Sequence, residues 1–212
     1  MSAMTEHLSF FLVSLSAVFF VVDPIGVVPL FLAMTSNDTR EKVRRTAARA
    51  CLVAGGLVLF FALFGGVVFK VFGVSLGAFR VAGGILLMVT ALDMLRARTS
   101  ETRTTPGETL AGAGKEDIAI VPLAMPLLAG PGTIATVMVL MAKGKTLESA
   151  VPVLLAVVLT FLSTYIILRA AGLVQKVLGQ SGVAILERVM GLILAAIAVQ
   201  FVADGVRELL RL

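Results

Sequence analysis

Asp23-Pro24-Ile25-Gly26-Val27-Val28-Pro29 interrupts an apolar run that extends from Leu8 to Met34. A second interruption is Pro122-Leu123-Ala124-Met125-Pro126-Leu127-Leu128-Ala129-Gly130-Pro131-Gly132-Thr133, inside the run from Ile118 to Met141. Five of the seven prolines fall in these two stretches. Proline removes a backbone N–H and clashes with the preceding turn. In hydrocarbon the freed backbone group has no water to turn to. Two membrane-length runs that both carry such breakers predict two helices broken inside the bilayer.

Composition agrees with a membrane setting. Of 212 residues, 58% are hydrophobic and only 15% charged, against about 25% in soluble domains. Mean hydropathy is +1.04. The net charge of +5 does not point to nucleic acid, because the basic residues lie between apolar runs, where membrane topology accounts for them. Cys51 is alone and His7, the one histidine, is N-terminal. No disulfide, CxxC pair or His-based metal or catalytic site within the spans is expected. No Walker loop is present, so no nucleotide cofactor is implied.

Six spans are predicted. They are Leu8–Met34 (broken), Ala50–Phe69, Val81–Leu92, Ile118–Met141 (broken), Val151–Leu168 and Val189–Ala203. The polar N-terminal tail lacks a basic region, and the first apolar core runs into Asp23-Pro24, so the first span reads as retained and not as a cleaved signal. The third uncharged core holds twelve residues. It covers about 18 Å of a hydrocarbon layer of about 30 Å. Arg80, Asp93 or both must therefore enter the membrane or snorkel from it. The connection at 169–182 is expected to contain an interfacial helical turn, and the tail from Arg207 to be short and polar. Arg40, Lys42, Arg44, Arg45 and Arg49 fill the first connection, and Arg96, Arg98, Arg103 and Lys115 the third. The positive-inside rule then puts both termini outside the cytoplasm of a cell (inner) membrane.

The two halves are related. Arg80, Val81, Gly83, Ile85 and Leu86 match Arg188, Val189, Gly191, Ile193 and Leu194 at a constant offset, and Pro24 falls on Pro131 at nearly the same offset. Three spans per half make the repeat an inverted one. The predicted fold is thus all-α: six transmembrane helices as a 3+3 inverted repeat, with broken first and fourth helices. Residues 1–95 form the first repeat, 96–116 a flexible cytoplasmic loop, and 117–212 the second repeat.

Asp23 is expected to cap a helix that opens with Pro24. Gly130-Pro131-Gly132 is expected to open its counterpart, with glycines that let a ligand approach the backbone. Two half-helix N-termini facing each other near the midplane would suit an anionic group such as a carboxylate. The candidate substrate-binding residues are Asp23, Pro24, Gly26, Gly130, Pro131, Gly132 and Thr133. Asp23 either takes up a cation or only caps. Thr133 either meets substrate or bonds its own helix. Arg80 and Arg188 either line a pathway, pair with acids, or snorkel. Asp93 and Asp204 read as interfacial. Gly73 and Gly77 form a GxxxG in a loop-like context, weak as a dimerisation signal.

The DPIGVVPLF stretch after an apolar first span, with PLAMPLLAGPGTI opening the fourth, resembles the MarC family of bacterial and archaeal membrane proteins. The similarity covers nearly the whole chain. It implies a multi-pass protein related to LysE-type exporters and grouped with neutral amino acid transporters. The expected function is secondary transport of a small solute, a small neutral amino acid first, with a proton or sodium ion as coupling partner. The alternatives are a cation transporter using Asp23, or a membrane enzyme or assembly factor. An enzyme would need convergent polar side chains in the spans, and only isolated ones occur. The partners expected are the small-molecule substrate and the lipid bilayer.

Overall fold

A computed structural model describes residues 3–96, 119–143 and 147–210. Eight segments follow in order: α1 (Ala3–Val22), α2 (Val28–Met34), α3 (Arg40–Phe72), α4 (Leu76–Leu95), α5 (Ala119–Leu128), α6 (Pro131–Lys143), α7 (Leu147–Arg169) and α8 (Ala171–Leu210). Five of them contain stretches long and apolar enough to cross a membrane: Thr5–Val22, Arg40–Val67, Leu76–Leu95, Ala150–Arg169 and Ser181–Leu210. The pair α5–α6, bent by 53° at its break, passes the same test only as a unit, as one broken span or as a re-entrant loop. The chain is an all-α polytopic membrane protein. The expected central loop lies almost wholly outside the described residues, as does most of the polar turn after Lys143.

Local chemistry sets the helix ends. α3 stops before Gly73, whose φ of +63° suits glycine. Two residues on, Ser75 caps α4, its Oγ accepting the Ala78 N–H at 3.2 Å. α4 then runs through Arg80 and Asp93 without a break, so both charges belong to the crossing helix, as the short apolar core required. Gly179, at φ +65°, kinks α8 and sets off residues 171–178. That short piece carries the exposed Leu173, Lys176 and Val177 and supplies the helical turn expected in this connection.

The strongest contact joins α4 to α8. A Cβ on Gly205 would stand 2.7 Å from the Gly77 carbonyl oxygen, one on Gly84 2.8 Å from that of Ala198, and one on Gly191 3.1 Å from that of Ala91. The three contacts step by seven residues on each helix in opposite directions, so α4 and α8 pack antiparallel at backbone contact. Such close approach is how helices associate in lipid, where no hydrophobic drive operates between them. Gly77 is therefore not a loop residue of a dimerisation motif. It is the first contact of an intramolecular seam.

The C-terminal stretch is also corrected. Residues 207–210 are not a polar tail but the last turn of α8. They place Glu208 Oε2 2.7 Å from the Arg80 guanidinium. Of the readings open for Arg80, pairing with an acid is the one observed, while Arg188 is exposed on α8. Asp204 lies within α8 as well and meets Lys143 at 3.7 Å.

Candidate functional site

α1 ends at Asp23. Its N–H reaches the Phe19 carbonyl at 3.0 Å, and its φ of +53° is a left-handed geometry that Asp tolerates better than most residues. Pro24 follows and cannot extend the helix. The Asp23 carboxylate then folds forward, and Oδ1 accepts the Gly26 N–H at 3.1 Å. A Cβ on Gly26 would collide with Asp23 Oδ2 and stand 2.7 Å from Cγ. Gly26 is thus glycine because Asp23 occupies the space beside it. Asp-Pro-x-Gly is one interlocked turn, and Asp23 is only 2% exposed.

This corrects the expected half-helix. Asp23 receives an N–H three residues on, as a cap does, but the turn it closes does not continue. α2 starts at Val28, with Pro29 in its first turn, and is seven residues long. Pro24 opens no helix.

The second break follows expectation more closely. Val121 and Met125 are extended, which the prolines after them impose, so α5 winds irregularly. Ala129 donates back to the Ala124 carbonyl at 2.9 Å. Gly130 then caps α6, its carbonyl accepting from Ile134 N–H at 3.1 Å. Pro131 takes the first helical position, where its missing N–H removes no bond. A Cβ at Gly130 would lie 2.7 Å from the Pro126 carbonyl oxygen. Thr133, 2% exposed, donates its hydroxyl to the Leu128 carbonyl at 3.2 Å. It bonds the segment before its own helix.

A small cavity of about 70 Å³ opens at this helix start. Gly130, Pro131, Gly132 and Thr133 form one wall, with Leu127; Val21 comes from α1, and Leu86, Leu87 and Thr90 from α4. The hydroxyl of Thr90 donates to the Leu86 carbonyl at 3.1 Å. Both threonine oxygens thus retain acceptor capacity. The N–H groups of Gly132 and Thr133 belong to the turn whose donors have no intrahelical acceptor. A Cβ at Gly132 would stand 2.9 Å from Leu87 Cδ2 and 3.7 Å from Val21 Cγ1, so Gly132 also serves helix packing.

The two breaks therefore meet, but not as expected. Val21, just before the first motif, reaches the second; Asp23, Pro24 and Gly26 do not line the cavity. Depth can be counted along three helices. Val21 lies about 20 Å along α1 from Leu8, Leu87 about 17 Å along α4 from Leu76, and Pro131 about 18 Å along α6 from Lys143. Each count exceeds half the thickness of a hydrocarbon layer of about 30 Å. Sequence reasoning missed Val21, Leu86, Leu87, Thr90 and Leu127. Of these only Thr90, a lone hydroxyl in an apolar span, carried a signal. Among the described residues no group of three His, Cys, Asp or Glu side chains could hold a metal.

An all-helical polytopic protein with a cavity at a Pro/Gly-broken span defines the class. The pattern described as MarC family integral membrane protein matches residues 8–210, and the chain belongs to that family. It is similar to a UPF0056 membrane protein of Methanocaldococcus jannaschii, 40% identical over 200 residues, covering 94% of this chain and 97% of the relative. A UPF0056 membrane protein of Aquifex aeolicus is 35% identical, covering 90% and 89%. Another from Escherichia coli is 33% identical, covering 89% and 88%. No solved structure matches the chain.

Proposed function

We propose that the chain is a secondary transporter of a small neutral amino acid in the cell membrane, and that the start of α6 is where the solute binds. The observation that carries this reading is the cavity between α1, α4 and α6 at the broken span, lined by Gly130, Pro131, Gly132 and Thr133 of the helix start and by Thr90. Irregular backbone at membrane depth is tolerated where it is buried in protein or lines a cavity, and transporters place discontinuous helices at the solute site. A carboxylate would take the N–H groups of Gly132 and Thr133. The antiparallel crossing of α4 and α8, which carry the matching Arg-Val-x-Gly stretches, is the relation an inverted repeat requires.

At about 70 Å³ the cavity holds a few waters, so this conformation is a closed one. Opening separates α6 from α4 at the Gly132–Leu87 contact, while the backbone seam keeps α4 and α8 together. A proton or sodium ion drives the cycle, with Asp23 as the group that takes it up. Both termini lie outside the cytoplasm, and no residue has a catalytic role. The test is uptake of a panel of labelled amino acids by proteoliposomes, with the wild type beside Gly132→Ala. Wild-type uptake of a small neutral amino acid is expected, with the variant impaired by more than any fall in melting temperature from the Leu87 contact accounts for. Absence of uptake for the whole panel, or impairment that merely tracks lost stability, would overturn it.

A further inference from the structure

α3 and α7 leave a groove between them of about 490 Å³, within the range of roughly 300–1,000 Å³ usual for ligand sites. Its walls are apolar and include Cys51, Gly55, Gly56, Phe161, Leu162 and Tyr165. Two adjacent glycines make it. A Cβ on Gly55 would lie 3.2 Å from the Phe161 ring, so the helices are pinned there. A Cβ on Gly56 would meet nothing within 4 Å, so the space beside that contact is unfilled.

One end of the groove is basic. Hairpins join α3 to α4 and α7 to α8, and α4 is antiparallel to α8, so α3 and α7 are antiparallel too. From the Gly55–Phe161 contact, Arg169 lies about 12 Å along α7 and Arg45 about 15 Å along α3, toward the same face. Arg49 is one turn nearer. All three are exposed. Arg45 shares its charge with Glu41 at 2.7 Å, an exposed pair of little strength. Lys176, on the short first piece of α8, adds a fourth positive charge past this end. Tyr165 lines the groove just below that level, the depth that amphipathic aromatic rings favour.

We propose that this groove is a binding site for one anionic phospholipid. One acyl chain lies along Gly55, Gly56 and Phe161, and the phosphate sits among Arg45, Arg49 and Arg169. Charge complementarity decides the occupant. A zwitterionic lipid fills the groove equally well but brings no net charge to the basic end, whereas basic clusters beside transmembrane helices attract anionic headgroups. A second copy of the chain, in the same membrane orientation, would bring its own basic residues to the same level and add like charge there.

The test uses the full chain, purified in detergent and titrated with phosphatidylglycerol or phosphatidylcholine. Native mass spectrometry reads bound lipid and melting temperature reads stabilisation. One lipid per chain is expected, with phosphatidylglycerol clearly preferred. Arg169→Gln should weaken that preference about fivefold, and Arg45→Gln by a similar factor. Gly56→Leu projects into open space and should displace the lipid while the protein still folds. Equal retention of the two lipids, an unchanged preference in both arginine variants, or full lipid retention in Gly56→Leu would overturn the proposal. So would a dimer that Gly56→Leu dissociates, which would give the groove to a second copy.

Discussion

Gly26→Ala tests whether Asp-Pro-x-Gly is an interlocked turn or a ligand contact. The added methyl collides with the Asp23 carboxylate, so the carboxylate must turn away and release the Gly26 N–H it holds at 3.1 Å. A hydrogen bond to a charged acceptor contributes about 1.5–3 kcal/mol. For a chain of this size that corresponds to a drop of roughly 3–12 °C in melting temperature. The second arm of the cycle is Asp23→Gly, which removes the carboxylate and keeps the φ of +53° free of strain. On that background Gly26→Ala has nothing to strike. It should be neutral or stabilise by up to about 1 kcal/mol, because alanine restricts the unfolded chain. The coupling between positions 23 and 26 should therefore exceed about 1.5 kcal/mol, well above the scatter of independent sites. Thermal unfolding in detergent, followed by circular dichroism because the chain has no tryptophan, measures all four proteins. Equal costs for Gly26→Ala in both backgrounds would refute the interlock.

Asp23→Asn keeps a side chain that caps and tolerates left-handed φ but carries no charge. It should express and fold normally yet lose ion-driven uptake, and wild-type uptake would reduce Asp23 to a turn residue. Glu208→Gln leaves Arg80, only 14% exposed, without its partner. It should cost about 1 kcal/mol, with recovery in the charge-swapped Arg80→Glu, Glu208→Arg protein as the check. Gly84→Val drives a side chain into the Ala198 carbonyl and should destabilise by about 1–3 kcal/mol, read as melting temperature; the same change at the open Gly56 should cost far less. A cysteine at Thr102 in a Cys51→Ser background should resist a membrane-impermeant thiol reagent in intact cells, and labelling from outside would invert the assigned orientation.

The sequence by itself determined the class, the apolar runs that form the long helices and the places where helices break. Those depend on local quantities: apolar length against bilayer thickness, and prolines that remove N–H groups wherever they stand. It also located the α6 start residue by residue, because Gly130 and Pro131 act within one turn. What Asp23 does was half legible. Its reach to an N–H three residues on is local, but whether the turn then grows into a helix depends on packing that residues 24–27 do not encode. Tertiary structure alone decided that Gly77, Gly84 and Gly191 form a seam and that Arg80 finds Glu208. It alone decided that Val21, Leu87 and Thr90 close a cavity on Gly132. Those contacts join residues up to 128 positions apart. A periodicity of 3.6 shows which side of a helix is small or apolar. It does not show which other helix will lie against it.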